Sequence, residues 1–299
     1  MAKSAFRRQS AGDRTFDLVN IALVTVILLV VLFPLWFVVI ASISDPMKVA
    51  GGKILFLPSG INIQGYRMVF RDSNILNGYR NTLLYTALGT SINIVLTVCA
   101  AYPLSRKDWV GRGFFMAILM ITMFFSGGLI PTYLIMSAAG LVNTIWAMVI
   151  PGAVSVYNTV VMRTYFTNSI PLEIQEAAMA DGASNISLLL RIVLPLSKPI
   201  LAVISLFYGV VHWNAFFNAL IYLSRSTLYP LQLVLRTILI QNQVSQDMVG
   251  EVDTLANRVM MAEIIKYALI IVSTLPMMAF YPFLQRYFIK GVMIGAVKG

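Results

Sequence analysis

Long apolar stretches alternate along the chain with short polar ones, and their lengths predict what each does. About 20 apolar residues are needed to cross hydrocarbon as a helix. Six stretches reach that length: 18–43, 82–105, 113–136, 141–162, 199–224 and 267–285. The expected fold is an all-α integral membrane protein, a single transmembrane domain over residues 1–299. Gly127-Gly128 with Pro131, and Pro151-Gly152, fall inside two of the spans, where they can break a helix. Six crossings place both termini on one side. Two long loops, 44–81 and 225–266, share the other side, and 137–140 is a tight turn. Gly51-Gly52 and Pro58-Ser59-Gly60 mark turns in the first long loop, and Tyr66–Phe70 reads as a short amphipathic helix at the membrane surface.

One loop on the terminal side, 163–198, is long, and it carries a polar, alanine-rich patch between long apolar runs, EAAMADGASNISLLLRIVLPLSKP at 176–199. Ser169 can cap a helix there, Pro171 suits its first turn, and Glu173 and Glu176 lie near its positive end. Gly182 can end it. Ser184 or Asn185 can start a second helix through Leu188, Leu189, Ile192 and Leu194 to Pro195. Ala177, Ala178 and Ala180 keep the first helix thin. By itself this pattern fits either a docking element or an interfacial helix that docks nothing.

Composition and charge agree with a membrane protein. Of 299 residues, 59% are hydrophobic and 11% charged, against about 25% charged in soluble domains. Lys3, Arg7, Arg8, Arg14, Arg106, Lys107, Arg112, Arg163, Arg191, Lys198, Arg286, Lys290 and Lys298 fall on the side of the termini, which by the positive-inside rule is cytoplasmic. The net charge of +10 is then mostly topology, with no nucleic-acid partner implied. The side opposite retains a small positive excess, compatible with an acidic substrate. The single cysteine, Cys99, sits in an apolar run, where a small buried hydrophobe is expected, and it offers neither a disulfide nor a metal site.

The chemistry missing from the spans also narrows the function. They contain no Asp, Glu, Lys or Arg, and His212 is their one ionisable group. Proton-coupled carriers keep intramembrane carboxylates or histidine chains along the ion path, so His212 reads as a helix-contact residue. There is no phosphate-binding glycine loop, no HExxH and no assembled nucleophile set. Energy for directed work would have to come from a partner.

Glu176-Ala177-Ala178, Gly182, Ile192 and Leu194-Pro195 match, at every spaced position, the EAA loop of ABC importer permeases. Ile170-Pro171, Glu173 and Asp181-Gly182-Ala183 resemble its sugar-importer form. His212-Trp213-Asn214-Ala215-Phe216-Phe217 resembles that group's WN.FF segment, and GVMIGAVKG at 291–299 its C-terminal ending. The chain thus resembles, over nearly its whole length, the second six-span permease of maltose-type carbohydrate importers, closest to the oligosaccharide branch that includes pectin-fragment and alginate importers.

The resemblance implies a set of roles and partners. Residues 171–182 would be a coupling helix seated in a cytoplasmic ATPase subunit, with Glu173, Glu176, Ala177, Ala178, Asp181 and Gly182 at or near the contact. Ile192, Leu194 and Pro195 would carry its motion into the fifth span. Lys298 and Gly299 of the tail would lie against the ATPase pair. The chain would bind no cofactor, ATP and magnesium belonging to the ATPase subunits. Its partners would be a homologous permease, two ATPases, a solute-binding protein, an oligosaccharide and membrane lipid, in the inner membrane with both termini cytoplasmic. Tyr157, Asn158, Trp213, Asn214 and Asn218 have the aromatic faces and amides that a sugar needs, with Asn214 and Asn218 one turn apart on a helix. The same residue types also pack helices. A self-sufficient secondary transporter is the alternative, and a membrane-embedded enzyme is disfavoured by the absence of a catalytic set.

Overall fold

The computed structural model describes residues 11–247 and 265–279, and every regular element among them is helical. The described residues divide into two compact units, 11–69 with 241–247 and 265–272, and 70–240 with 273–279. In the first, α1 (Ala11–Ser42) is apolar along almost its whole length, and Asp13 in its first turn complements the helix dipole. Asp45 then caps α2 (Pro46–Ala50), its carboxylate accepting the Met47 N–H at 2.9 Å. Proline at the first helical position loses no hydrogen bond there. The chain returns through turns at Gly52 and Gly60, both at positive φ. The Asn62 N–H donates to the Ile43 carbonyl at 2.9 Å, and Ile40, Ala41, Val49 and Ile54 close a small core. α3 (Gln64–Arg71) covers the amphipathic stretch at 66–70.

The second unit is built around α4 (Ser73–Ser105), started by the Asp72 carboxylate, which accepts the Asn74 N–H at 2.8 Å. At 1.5 Å per residue its 33 residues span about 50 Å. α5 (Arg112–Phe124) and α6 (Leu129–Ala138) follow, bent by 113° at a break that contains Gly127 and Gly128. Gly128 holds φ +85°, which a β-carbon disfavours. α6 ends in the turn expected at 137–140, where Gly140 donates to Ser137 and Leu141 to Met136, each at 3.0 Å. α7 (Trp146–Val149) and α8 (Val156–Ser169) flank a turn at Pro151-Gly152. α9 (Leu172–Ala180) and α10 (Asn185–Leu188) form the 163–198 loop. A π-turn (Leu189–Val193), α11 (Leu194–Leu196), α12 (Lys198–Trp213), α13 (Phe217–Tyr222), a 3-10 turn (Ser226–Leu228), α14 (Leu231–Asp247) and α15 (Ile265–Ala279) complete the order.

Buried side chains from α4 (Val98, Ala101, Tyr102), α8 (Met162, Phe166) and α12 (Ile200, Ile204, Tyr208) make the main core. Leu188 and Val193 of the loop join it, so the loop is packed onto the helices it connects. Among the described residues, two helices are long and apolar enough to cross a membrane unbroken, Gly12–Ser42 and Ser73–Ser105. Two bent pairs, α5 with α6 and Asn185–Leu196 with α12, raise that to four. The stretch 141–162 is not one helix, because Pro151-Gly152 interrupts it, and 199–224 breaks after Trp213. Residues 280–285 of the last expected span lie outside the described residues. Cys99 is exposed on α4, contrary to the burial expected. An apolar side chain facing lipid needs no protein neighbour to leave water.

Candidate functional site

α9 has the features of a docking element, and its local chemistry explains them. Pro171 forces Ile170 into an extended conformation (φ −110°, ψ 110°), which separates α8 from α9. Ser169 is the last residue of α8 rather than a cap, and Pro171 occupies the cap position. At the other end the Gly182 N–H donates to Met179 at 3.0 Å and the Ala183 N–H to Ala178 at 2.9 Å. That six-to-one closure needs a left-handed residue, and Gly182 supplies it at φ +82°. Ser184 then caps α10, accepting the Ser187 N–H at 3.3 Å.

None of the nine residues of α9 is buried. Glu173, Glu176, Ala177 and Asp181 are exposed, while Gln175 and Ala178 turn inward, Ala178 against the core. Gly182 is exposed too, and a β-carbon there would meet no atom of this chain within 4 Å. Ile192 and Leu194 pack on the core, and Pro195 is exposed. Proline offers no N–H to the preceding turn, and the turn before Pro195 widens into the π-form. At Ser197 the path bends by 82° into α12.

The pattern of apolar and polar positions missed Arg106, which sits where α4 ends and is only 8% exposed. Its Nε and Nη2 donate to the two carboxylate oxygens of Asp108 at 3.0 and 2.9 Å. Nη1 donates to Gln175 Oε1 at 2.9 Å, and Nη2 lies 3.3 Å from Met179 Sδ. Gln175 and Met179 are one turn apart on α9, so one guanidinium bridges two successive turns of that helix. The hydrogen bonds from Arg106 hold the Asp108 carboxyl below the usual carboxylate range, and the same pairing raises the guanidinium. Nearby, Tyr102 OH donates to Asn185 O at 3.3 Å and Arg163 Nε to Leu104 O at 2.9 Å. The signal was available as an arginine immediately after an apolar helix, but counting it only toward topology hid it.

A second feature lies along α12. Tyr208 and His212 are one turn apart, as are Thr97 and Asn93 on α4. Tyr208 OH is 2.7 Å from Thr97 Oγ1 and accepts the Ser155 N–H at 3.0 Å. Asn93 Nδ2 donates to Gly152 O and Ala153 O at 3.2 and 2.7 Å. With both its hydrogens used, Asn93 can only accept through Oδ1, so His212 Nε2, at 2.7 Å, carries the proton. Gly89 makes room for that ring, because a β-carbon there would collide with it.

These bonds hold the wall of a cavity of about 790 Å³ lined by Pro151, Gly152, Tyr157, Asn158, Val211, His212 and Asn218, among others. Tyr157, Asn158 and Asn218 thus meet at one place. Trp213 and Asn214 do not line it. Trp213 is 3% exposed, packs edge-on against Tyr79 and donates Nε1–H to Ser273 O at 3.0 Å. Asn214 caps α12, its Nδ2 donating to Val210 O at 2.9 Å. Because the helix stops there, Asn214 and Asn218 belong to different elements and share no helical face. Lys298 and Gly299 lie outside the described residues.

An apolar helical core with one exposed helix, α9, between two of its helices, and a cavity among them, is the form of a transporter permease. No protein-family model matches the chain. Protein LplC of Bacillus subtilis is 35% identical over 299 residues, all of both chains. The polygalacturonan/rhamnogalacturonan transport system permease protein YtcP of the same organism is 35% identical over 288 residues, 96% of this chain and 99% of YtcP. A chain from the crystal structure of a bacterial ABC transporter that imports the acidic polysaccharide alginate superposes with a TM-score of 0.85 at 31% identity, over 94% of this chain and 99% of that one. The chain belongs to the family of carbohydrate ABC-importer permeases. That sets aside the self-sufficient secondary transporter.

Proposed function

We propose that this chain is a non-catalytic half of the membrane path of an ATP-driven importer that receives an acidic oligosaccharide from a solute-binding protein. In this reading α9 is the coupling helix, on the cytoplasmic side with both termini. Its exposed Glu173, Glu176, Ala177 and Asp181 meet a partner ATPase, which holds the ATP and magnesium. A homologous permease supplies the rest of the path. The observation that carries the reading is α9 itself: a helix started at Pro171 and closed at Gly182, buried at no residue, whose exposed Gly182 has open space in its own chain. The left-handed backbone accounts for the glycine within this chain, and the open space beside it leaves room for a partner's backbone to approach closely.

Pressure on α9 has a short way into the membrane, through the π-turn and the bend at Ser197 to α12, which lines the cavity. Tyr157 offers an aromatic face and Asn158 and Asn218 offer amides to a sugar, and ATP-driven rocking of helices about such a site gives alternating access. An acidic substrate is favoured by the polygalacturonan and alginate importers among the relatives, together with the excess of basic residues on the external side. The test is ATP hydrolysis by the complex rebuilt in lipid with its binding protein, against neutral and acidic oligosaccharides. Stimulation by oligouronates and not by neutral sugars is expected. Gly182→Asp is expected to leave the chain in the membrane yet lose the ATPase pair on co-purification. Retention of the pair by that variant would sink the coupling-helix assignment.

A further inference from the structure

We infer that Arg106 is a positioning residue that locks α9 to the Ser105 end of α4, so that a movement imposed on α9 is delivered to α4 as well as to α12. The inference rests on the coupling-helix reading of α9.

The connection to α12 runs through a widened turn, an exposed proline and an 82° bend, with Ile192, Val193 and Leu194 packed on the core along the way. The connection to α4 is made by side chains at close range. The Asp108 carboxylate fixes the guanidinium by a two-point pair, which leaves Nη1 aimed at Gln175 and Nη2 beside Met179. A delocalised, planar cation with its donors already oriented suits this task better than an amine on a flexible stem. Its burial makes the arrangement two-way, because a cation withdrawn from water keeps its partners.

Arg106 also does not act alone at that end. Tyr102 holds α10 through Asn185, and Leu104 receives Arg163 of α8, so three successive segments are tied to the last turn of one helix. α4 is continuous for 33 residues. At its opposite end Asn81 Nδ2 donates to Thr227 O and Tyr229 O at 2.8 and 3.1 Å. Tyr85 OH donates to Leu228 O, and Thr82 Oγ1 accepts the Leu231 N–H, both at 2.9 Å. α4 therefore joins the coupling helix to the segment 227–231 on the far side of the membrane as one stiff rod.

The test uses the full chain in complex with its second permease and ATPase pair, in lipid nanodiscs, with Cys99→Ser and spin labels at Val110→Cys and Ala180→Cys. Distances are measured without nucleotide and after trapping with ATP and vanadate. One narrow distance, the same in both states, is expected. Arg106→Met should lose the narrow distribution while the ATPase pair still co-purifies. Gln175→Leu, which leaves the Arg106–Asp108 pair intact, should do the same. Gln175→Glu, which keeps an acceptor for Nη1, should retain it, an outcome that a purely structural role for Arg106 does not require. An unchanged narrow distribution in both Arg106→Met and Gln175→Leu overturns the inference, as does a wild-type distance that shifts between states. If Gly182→Asp loses the ATPase pair while these variants leave the distance unchanged, the coupling-helix reading stands and only the role of Arg106 falls.

Discussion

At the residue scale, Gly182 separates two demands that usually coincide. Its φ of +82° disfavours any β-carbon, yet there is open space where one would go. A branched side chain in the left-handed region costs about 1–2 kcal/mol, whereas Asn visits it readily. Detergent melts of the isolated chain should therefore rank Gly182 above Gly182→Asn and that above Gly182→Val. ATPase co-purification should instead follow side-chain size, with Gly182→Ala retaining more than Gly182→Asn. Asp108 gives a second prediction. Its carboxyl is held below the ordinary value of about 3.9, so its support for the Arg106 clamp is complete above that value and is lost as pH falls through the lower one. The Val110–Ala180 distance should be constant from neutral pH to about pH 5 and broaden only in stronger acid. A change between pH 8 and 6 would implicate some other group.

At the element scale, helix ends were legible in the sequence and helix continuity was not. Gly182, Ser184 and the turn at 137–140 act through local backbone chemistry, which a short window contains, whereas α9 starts from a cap at Pro171 and not at Ser169. The long apolar windows 141–162 and 199–224 read as single spans because hydropathy is blind to where a helix can afford to stop. Pro151-Gly152 breaks one of them, and Asn93 of α4, far away in sequence, satisfies the carbonyls that the break exposes. The other ends where Asn214 turns its amide back onto Val210. Such partners are invisible until the helices are packed. The ladder of Asn93 and Thr97 on α4 with His212 and Tyr208 on α12 makes this testable. Hydrogen bonds between membrane helices are worth about 0.6 kcal/mol on average and up to about 2. Tyr208→Phe removes one hydroxyl that serves both Thr97 and the Ser155 N–H, so a loss of about 1–2 kcal/mol in stability is expected from reversible unfolding in mixed micelles. Combined with Thr97→Val it should cost less than the sum, because the two changes delete one shared contact.

For the whole molecule, the question is what this chain contributes to a path it shares with another permease. Tyr157, Asn158 and Asn218 carry the groups a sugar needs, and the packing of α8, α12 and α13 brings all three to one cavity. Trp213 and Asn214, of the same chemistry, are committed to α15 and to the end of α12. Residue type identified the kind of group a sugar needs, but only the break after Trp213 decides which of them can reach it. The cavity wall is mostly apolar, so its few polar side chains, Tyr157, Asn158 and Asn218 with Ser155, Tyr208 and His212, must orient any hydroxylated ligand. If they do, losing one weakens binding and leaves the drive intact. Tyr157→Ala and Asn218→Ala should each raise the concentration for half-maximal uptake of an oligouronate, by about tenfold if one well-made contact is lost. Uptake at saturation and ATPase association should change little, since both residues are remote from α9. The opposite split, an unchanged half-saturation with a reduced maximum, would assign these residues to the helix movement and leave sugar recognition to the second permease.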